Sequence, residues 1–384
     1  MNEDEHLRDL MLAVDVPPTT ADIGLAIATG RRQARRGTAL AGAATVLVVA
    51  GGTAVVSGVA SPGGDRGVQA ERPPRVPYAA CTVETIQAMG PAGMIAVDPA
   101  GRTVVGTVGG TAVRFEGGRA VPYAGATGQV IAVNDAGLII GYDDVDQASH
   151  QLAWQYRDGT KTTLAKLAGY PYTFPTAVNA RGDVVGAAMG DAGDDTVPVL
   201  WPADRPGTVQ ALSMPAGFGE VGTGGSQAVG VADDGTVVGV VRGAATRWSP
   251  GGAASLLAPP PGHERGAATA LRGFHAYGYA YVTGQNRNVA VRWDVRTGAV
   301  TILAGAPDDP TDGTVDGAAI TTGGDYNQPT RITADGAVEL LPLPPGLLLP
   351  PDGPGASATS ISDDGRIITG ATGSTDRRLL IWHC

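Results

Sequence analysis

From about Pro77 to its last residue the chain repeats one phrase, and that repetition constrains the fold more than any other feature. AVDPAGRTVVGTV begins at Ala96, AVNDAGLIIGY at Ala132, AVNARGDVVGAA at Ala177, GVADDGTVVGVV at Gly230 and SISDDGRIITGA at Ser360. Each reads as a short apolar strand, a turn built on Asn or Asp with glycine, and a β-branched strand that ends in glycine. Asn and Asp favour turn geometry, and glycine adopts positive φ without steric cost, so the phrase encodes a hairpin. The Val and Ile on either side suit a pleated, half-buried strand.

A second element follows each hairpin: AVRFEGG, LAWQYRDG, PVLWPADRPG, ATRWSPGG, AVRWDVRTG, PTRITADG and LLIWHC. Its shared position is held by Phe115, Trp154, Trp201, Trp248, Trp293, Ile332 and Trp382, at intervals of 39, 47, 47, 45, 39 and 50 residues. Another turn and a strand such as TTLAKL or AVTILA then complete the unit. Four strands and one large apolar anchor in about 45 residues are what a β-propeller blade requires. The expected fold is therefore all-β, a seven-bladed β-propeller. Six or eight blades also fit, because the hairpins ALRGFHAYGYAYVTG and GAAITTGGDYN are degenerate. The tryptophans are expected to fill the core between sheets and not to form a ligand cage.

The phrase A-V-N-x-x-G-x-V-V-G, followed by a strand ending in Trp, resembles the HAF repeat of extracellular proteins. The resemblance covers about Thr82 to Cys384 and is best at Ala132–Gly141 and Ala177–Gly186. The repeat's Asn stands at Asn134 and Asn179, with Asp98, Ala232 and Ser362 in its place elsewhere. The resemblance implies an extracytoplasmic, propeller-like protein and implies no activity.

Ahead of the repeats, Thr38 to Ala60 gives 23 mostly apolar residues without a charge. About 20 residues of helix cross a bilayer core, so a single transmembrane helix is expected at 38–60. Arg31, Arg32, Arg35 and Arg36 immediately precede it and place residues 1–37 in the cytoplasm as a short tail, with all that follows exported. Cleavage near Ala60 and secretion is the alternative, although both the leading segment and the apolar run are long for a signal peptide. Ala50, Ala54 and Gly58 form a small-xxx-small row. Residues 61–77, rich in Gly and Pro, read as a stalk, and 78–384 as the propeller.

Function classes are narrowed mainly by exclusion. A net charge of −10 leaves no basic stripe for phosphate neutralisation, so nucleic acid is not an expected partner. No phosphate loop is present, the five histidines show no zinc-ligand spacing, and no cofactor is implied. Gly224-Gly225-Ser226-Gln227-Ala228 lacks the final glycine and following helix of a nucleophile elbow. The acidic groups at Asp143, Asp144 and Asp146, at Asp191, Asp194 and Asp195, and at Asp308, Asp309, Asp312 and Asp316 fit no EF-hand. They read as solvated loops, with calcium as the alternative.

In an antiparallel four-stranded blade the first and third turns share one face, and the second turn and blade-to-blade connection share the other. The first turns are short and uniform, whereas the opposite face carries YPYTFPT, PAGFGEVGTGGS, PPPGHERGA, PDDPTDGTVDG and PLPPGLLLPPDGPGA. Propellers bind where such loops converge on the channel. The candidate ligand residues are Tyr170, Tyr172, Phe174, Phe218, Glu220, His263, Glu264, Arg265, Asp308 and Asp312. The expected role is non-enzymatic binding at the cell surface, toward cell-wall glycan or another surface protein. A channel-sited lyase or hydrolase, or a sensor signalling through the helix, are the alternatives. Finally, the last unit lacks a fourth strand, and Thr82–Ile86 stands where one would supply it. Pairing that strand with LLIWHC brings Cys81 and Cys384 together, so a disulfide is expected between them.

Overall fold

The structure is a computed structural model, and it describes residues 76–77, 80–86, 92–145, 150–191, 195–218, 225–285, 287–303, 309–321, 328–347, 355–373 and 377–384. The expected cytoplasmic tail and transmembrane helix lie outside the described residues. Seven sheets are built from the repeats. Blade one runs outward through Ala92–Val97, Val104–Val108, Thr111–Glu116 and Arg119–Thr127. Blades two to six repeat this order, beginning on the inner strands Gln129–Val133, Tyr172–Val178, Gln227–Val231, His263–Arg272 and Pro310–Gly313. Blade seven contains Ala356–Ile361, Ile367–Thr372 and Leu379–His383, and takes Thr82–Ile86 from the start of the domain as its outer strand. Each inner strand packs on the next, and the seventh packs on the first, so the ring closes. This is an all-β, seven-bladed β-propeller.

The closure is as expected. Thr82 pairs with His383 and Ile86 with Leu379, antiparallel, and Cys81 is bonded to Cys384. One element is new. Val76–Pro77, at the end of the stretch read as stalk, adds a fifth strand, parallel to Val338–Leu340, on the outer edge of blade six.

The repeated phrase has a packing reason. In every blade the inner strand bulges against the second strand, as at Val130/Ala132, Pro175/Ala177 and Ala358/Ser360. The glycine of the V-V-G phrase stands opposite the bulge. A Cβ on Gly141 would lie 2.1 Å from the Gln129 carbonyl oxygen and 2.4 Å from Trp154 Cζ2, so the strand and the anchor ring both need its absence. Blade six has Thr321 at this position, and its anchor is the smaller Ile332. All five tryptophans are buried, as expected of core. Four of them also latch the preceding blade: Trp201, Trp248, Trp293 and Trp382 donate their indole N–H to the carbonyls of Ala165, Ser213, Ala258 and Pro342 at 2.6–2.7 Å. Trp154 departs from the expected shared position: it stands opposite Gly141, and Tyr156, opposite Ile139, takes the place that Trp201 holds opposite Val184. Trp154 has no such acceptor among the described residues and lies under Lys161, whose Nζ is 5.0 Å from the ring centroid.

Candidate functional site

In blades two to seven the bulged residue of the inner strand is half-buried: Ile131, Thr176, Val229, Thr269, Thr311 and Thr359. The four threonines act as rivets. Thr176 Oγ1 bonds the carbonyls of Val185 in its own blade and Ala228 in the next, at 3.0 and 2.8 Å. Thr269 does the same with Tyr277 and Pro310, Thr311 with Ile320 and Ala358, and Thr359 with Thr369 and Ile95. The hydroxyls along the inner ring are thus already engaged between blades.

The first-turn face is stitched more tightly still. Asn134 Oδ1 accepts from the amides of Ala136 and Leu138 and closes its own turn, while Nδ2 donates to Asn179 O in the next blade at 2.8 Å. Asn179 repeats this by accepting from Asp183 N and donating to Ala232 O. Asp98, Thr314 and Ser362 cap their own turns with a side-chain oxygen, and where Ala232 holds the position Asp234 Oδ1 accepts from Thr236 N in its stead. The next residue in the turn extends the stitching: Asp135 accepts from Ala100 N and Asp233 from Ala180 N.

Asp312 belongs to this face. It was expected among the long loops, but it lies at the far end of its inner strand, 7% exposed, beside the first turn. There it holds Arg272 with two hydrogen bonds of 3.0 and 2.7 Å and accepts from Ile361 N in blade seven. Burial opposes the charge on Arg272, but the Asp312 carboxylate outweighs it and holds the guanidinium above its ordinary pKa. Asp363 sits near this pair with Asp135 and Asp233 around it. Burial, and then those neighbouring carboxylates, push its pKa up against the pull of Arg272. One of its oxygens has no hydrogen-bond partner among the described residues.

The opposite face is where the structure brings several candidates together. Tyr170, Pro171, Leu167, Lys166, Gly169 and Asp191 line an open cavity of about 370 Å³. The Tyr170 hydroxyl is raised above its ordinary pKa by burial and then by Asp195. Beside it, Tyr172 stacks on His150 with ring centroids 3.8 Å apart and planes 4° from parallel, and His150 Nε2 lies 3.2 Å from Asp191 O. Two residues further in, Phe174 packs on Tyr142 at 5.0 Å. Tyr170, Tyr172 and Phe174 therefore form one aromatic edge between blades two and three.

The other candidates do not join them. His263, Glu264 and Arg265 begin the inner strand of blade five, with Glu264 and Arg265 exposed. Phe218 packs into the apolar core between blades three and four. Glu220 and Asp308 lie outside the described residues. Ser226, within the distant nucleophile-like motif, is 2% exposed and accepts from the Arg242 amide, so it serves a turn. Among the described residues no three His, Cys, Asp or Glu come together in a way that would hold a metal ion.

Sequence reasoning missed His150, Tyr142 and Lys161. Lys161 is mostly buried, with its Nζ 2.7 Å from both Asp143 oxygens and 2.9 Å from Thr127 O. Tyr142 had a signal, since it directly follows the V-V-G-type glycine at the end of a buried strand.

No family model matches the chain, and no curated protein matches it. Among solved structures it is similar to a streptogramin B lyase, with 15% identity and a TM-score of 0.53 over 79% of this chain and 97% of the other. It is also similar to the extracellular domain of a protein described as a one-component system from B. thetaiotaomicron, with 11% identity and a TM-score of 0.51 over 78% of this chain and 39% of that one. At these identities the likeness is one of fold. It defines the class as β-propeller and assigns no chemistry.

Proposed function

We propose that this chain is a membrane-anchored, extracytoplasmic binding module that docks cell-wall glycan on its loop face. The observation that carries the reading is the open cavity at Tyr170, flanked by the His150–Tyr172 stack. Sugar rings lie their C–H faces on aromatic surfaces while charged and amide groups take their hydroxyls, and Lys166 and Asp191 stand at the same cavity. Non-enzymatic binding is favoured over catalysis in the channel because the inner-ring threonine hydroxyls already bridge blades. Export is supported by the arginine-flanked apolar segment at 38–60 and by the Cys81–Cys384 disulfide, a bond suited to an oxidising compartment.

The test is retention of the purified full-length chain on insoluble cell-wall glycan, compared with Tyr170→Ala and Tyr172→Ala. Retention by the parent chain and loss in both variants is the expected result. Equal retention by all three, or by none, would remove the basis of the proposal.

A further inference from the structure

A secondary amide carries a donor, an acceptor and apolar carbon on one rigid plane, so a surface recognises it with an acceptor, a donor and an apolar patch. The cavity of about 370 Å³ on the long-loop face offers all three. Lys166 stands on the connection between blades two and three, Asp191 stands on the second turn of blade three, and both are exposed. They make no ion pair with each other, so an ammonium donor and a carboxylate acceptor line the same open space separately. The rest of the lining is Leu167, Gly169, Tyr170 and Pro171, which is largely apolar.

These walls are ordered by the fold itself. Leu167 and Tyr170 are half-buried and pack against the apolar cluster that contains Ile140, Leu164, Val184 and Trp201. Tyr170 N donates to Leu167 O at 3.0 Å and closes a turn in which Gly169 has a φ of +84°. A Cβ on Gly169 would meet nothing within 4 Å, so the turn opens onto free space. On the other wall Gly190 N donates to Asp195 O at 2.9 Å, and His150 Nε2 lies 3.2 Å from Asp191 O. His150 in turn stacks on Tyr172, so the charged rim and the aromatic surface share one frame. A site that is ordered beforehand loses less binding energy to its own ordering.

We propose that the Tyr170 cavity takes the acetamido group of an N-acetylated amino sugar, whose ring lies beside the His150–Tyr172 stack. The proposal rests on the glycan-docking reading above and names the class of sugar. The acetamido carbonyl accepts from the Lys166 ammonium, its N–H donates to the Asp191 carboxylate, and its methyl covers Leu167 and Pro171. A sugar with a hydroxyl on the same ring carbon leaves that apolar lining in water and cannot bridge the two charges.

The experiment titrates the full-length chain by calorimetry with triacetylchitotriose, cellotriose and L-alanine, and repeats each titration on Lys166→Met and Asp191→Ala. The two trisaccharides share one backbone and differ in carrying an acetamido group or a hydroxyl on the same ring carbon, and alanine is a small zwitterion. Hydrogen bonds to charged groups are the strong ones, so triacetylchitotriose should bind about ten- to a hundredfold more tightly than cellotriose. Each variant should lose most of that preference while keeping the parent's urea midpoint. Equal binding of the two trisaccharides, binding of neither, or an undiminished preference in either variant overturns the proposal. Tighter binding of alanine than of triacetylchitotriose, lost in both variants, makes the cavity a zwitterion site and overturns the amino-sugar assignment. Retention on wall glycan keeps the two readings apart. A parent chain that is retained but binds both trisaccharides equally keeps its docking role and loses the acetamido assignment, whereas one that prefers triacetylchitotriose without being retained loses the docking role alone.

Discussion

Reducing the disulfide between Cys81 and Cys384 should change stability mainly through the unfolded chain. The two residues are 303 apart in sequence, yet the folded ring is also closed by five pairs from Thr82–His383 to Ile86–Leu379. The native state therefore keeps its geometry when the bond is cut, whereas the unfolded state gains the freedom of an open chain. In the chain-entropy model a loop of this length is worth about 5 to 6 kcal/mol at 25 °C. With about 2.1 cal/mol/K of unfolding entropy per residue over a domain of this size, that is a fall in Tm of about 9 °C. All five tryptophans are buried within the blades, so their fluorescence reports on the propeller. Urea unfolding should be followed for the oxidised protein, the reduced protein and the Cys81→Ala/Cys384→Ala variant. The reduced and variant forms should agree, with a lower midpoint and a steeper denaturant dependence, because an open unfolded chain exposes more surface. If reduction moves the free energy by less than about 1 kcal/mol, strand pairing alone holds the ring and the entropic argument is wrong.

Three further outcomes test the rest of the architecture. Gly141→Ala forces a methyl against the Gln129 carbonyl and the Trp154 ring, and should cost about 3 kcal/mol or more, read as a lowered urea midpoint. Asn134→Ala removes two accepted hydrogen bonds and one donated to blade three, and should cost about 2–3 kcal/mol in the same assay. Asp363→Asn should have the opposite sign. Burial raises the pKa of Asp363 in the folded state, so its ionisation opposes folding, and stability is lost as pH rises from the unfolded pKa through the folded one. The Asn variant should match the parent in acid and exceed it at neutral pH. Equal stability at both would show that this carboxylate is better solvated than its position indicates.

The ring was legible in the sequence because its unit is local. A hairpin with Asn or Asp, glycine and an apolar anchor recurs at short separation, and the one long-range pairing was marked by two cysteines at matching registers. What escaped was set by contacts between blades. Asp312 lies in the tetrapeptide Pro310–Gly313, three of whose residues, Pro, Asp and Gly, are depleted in strands, so the stretch reads as loop although it is the inner strand of blade six. Phe218 follows Pro215-Ala216-Gly217 and looks available to a ligand, yet packs against the apolar cluster that contains Leu212 and Trp248.

The two faces of this propeller differ in the freedom left to their side chains, and that difference bears on where function resides. On the first-turn face, side-chain oxygens close the turns, and Asn134, Asn179, Asp135 and Asp233 tie each turn to the next, so a substitution there disturbs two blades. Such positions are held by the needs of the ring. The indole latches stand at the ends of the third strands, next to the third turns of that same face, and reach backbone carbonyls of Ala165, Ser213, Ala258 and Pro342. Ser213 Oγ also donates to the carbonyl of Gly252 in the third turn of blade four. These ties make no use of the long loops at the other end of the blades, which leaves the opposite face free to acquire recognition residues. The aromatic edge of Tyr170, Tyr172 and Phe174 stands on that face.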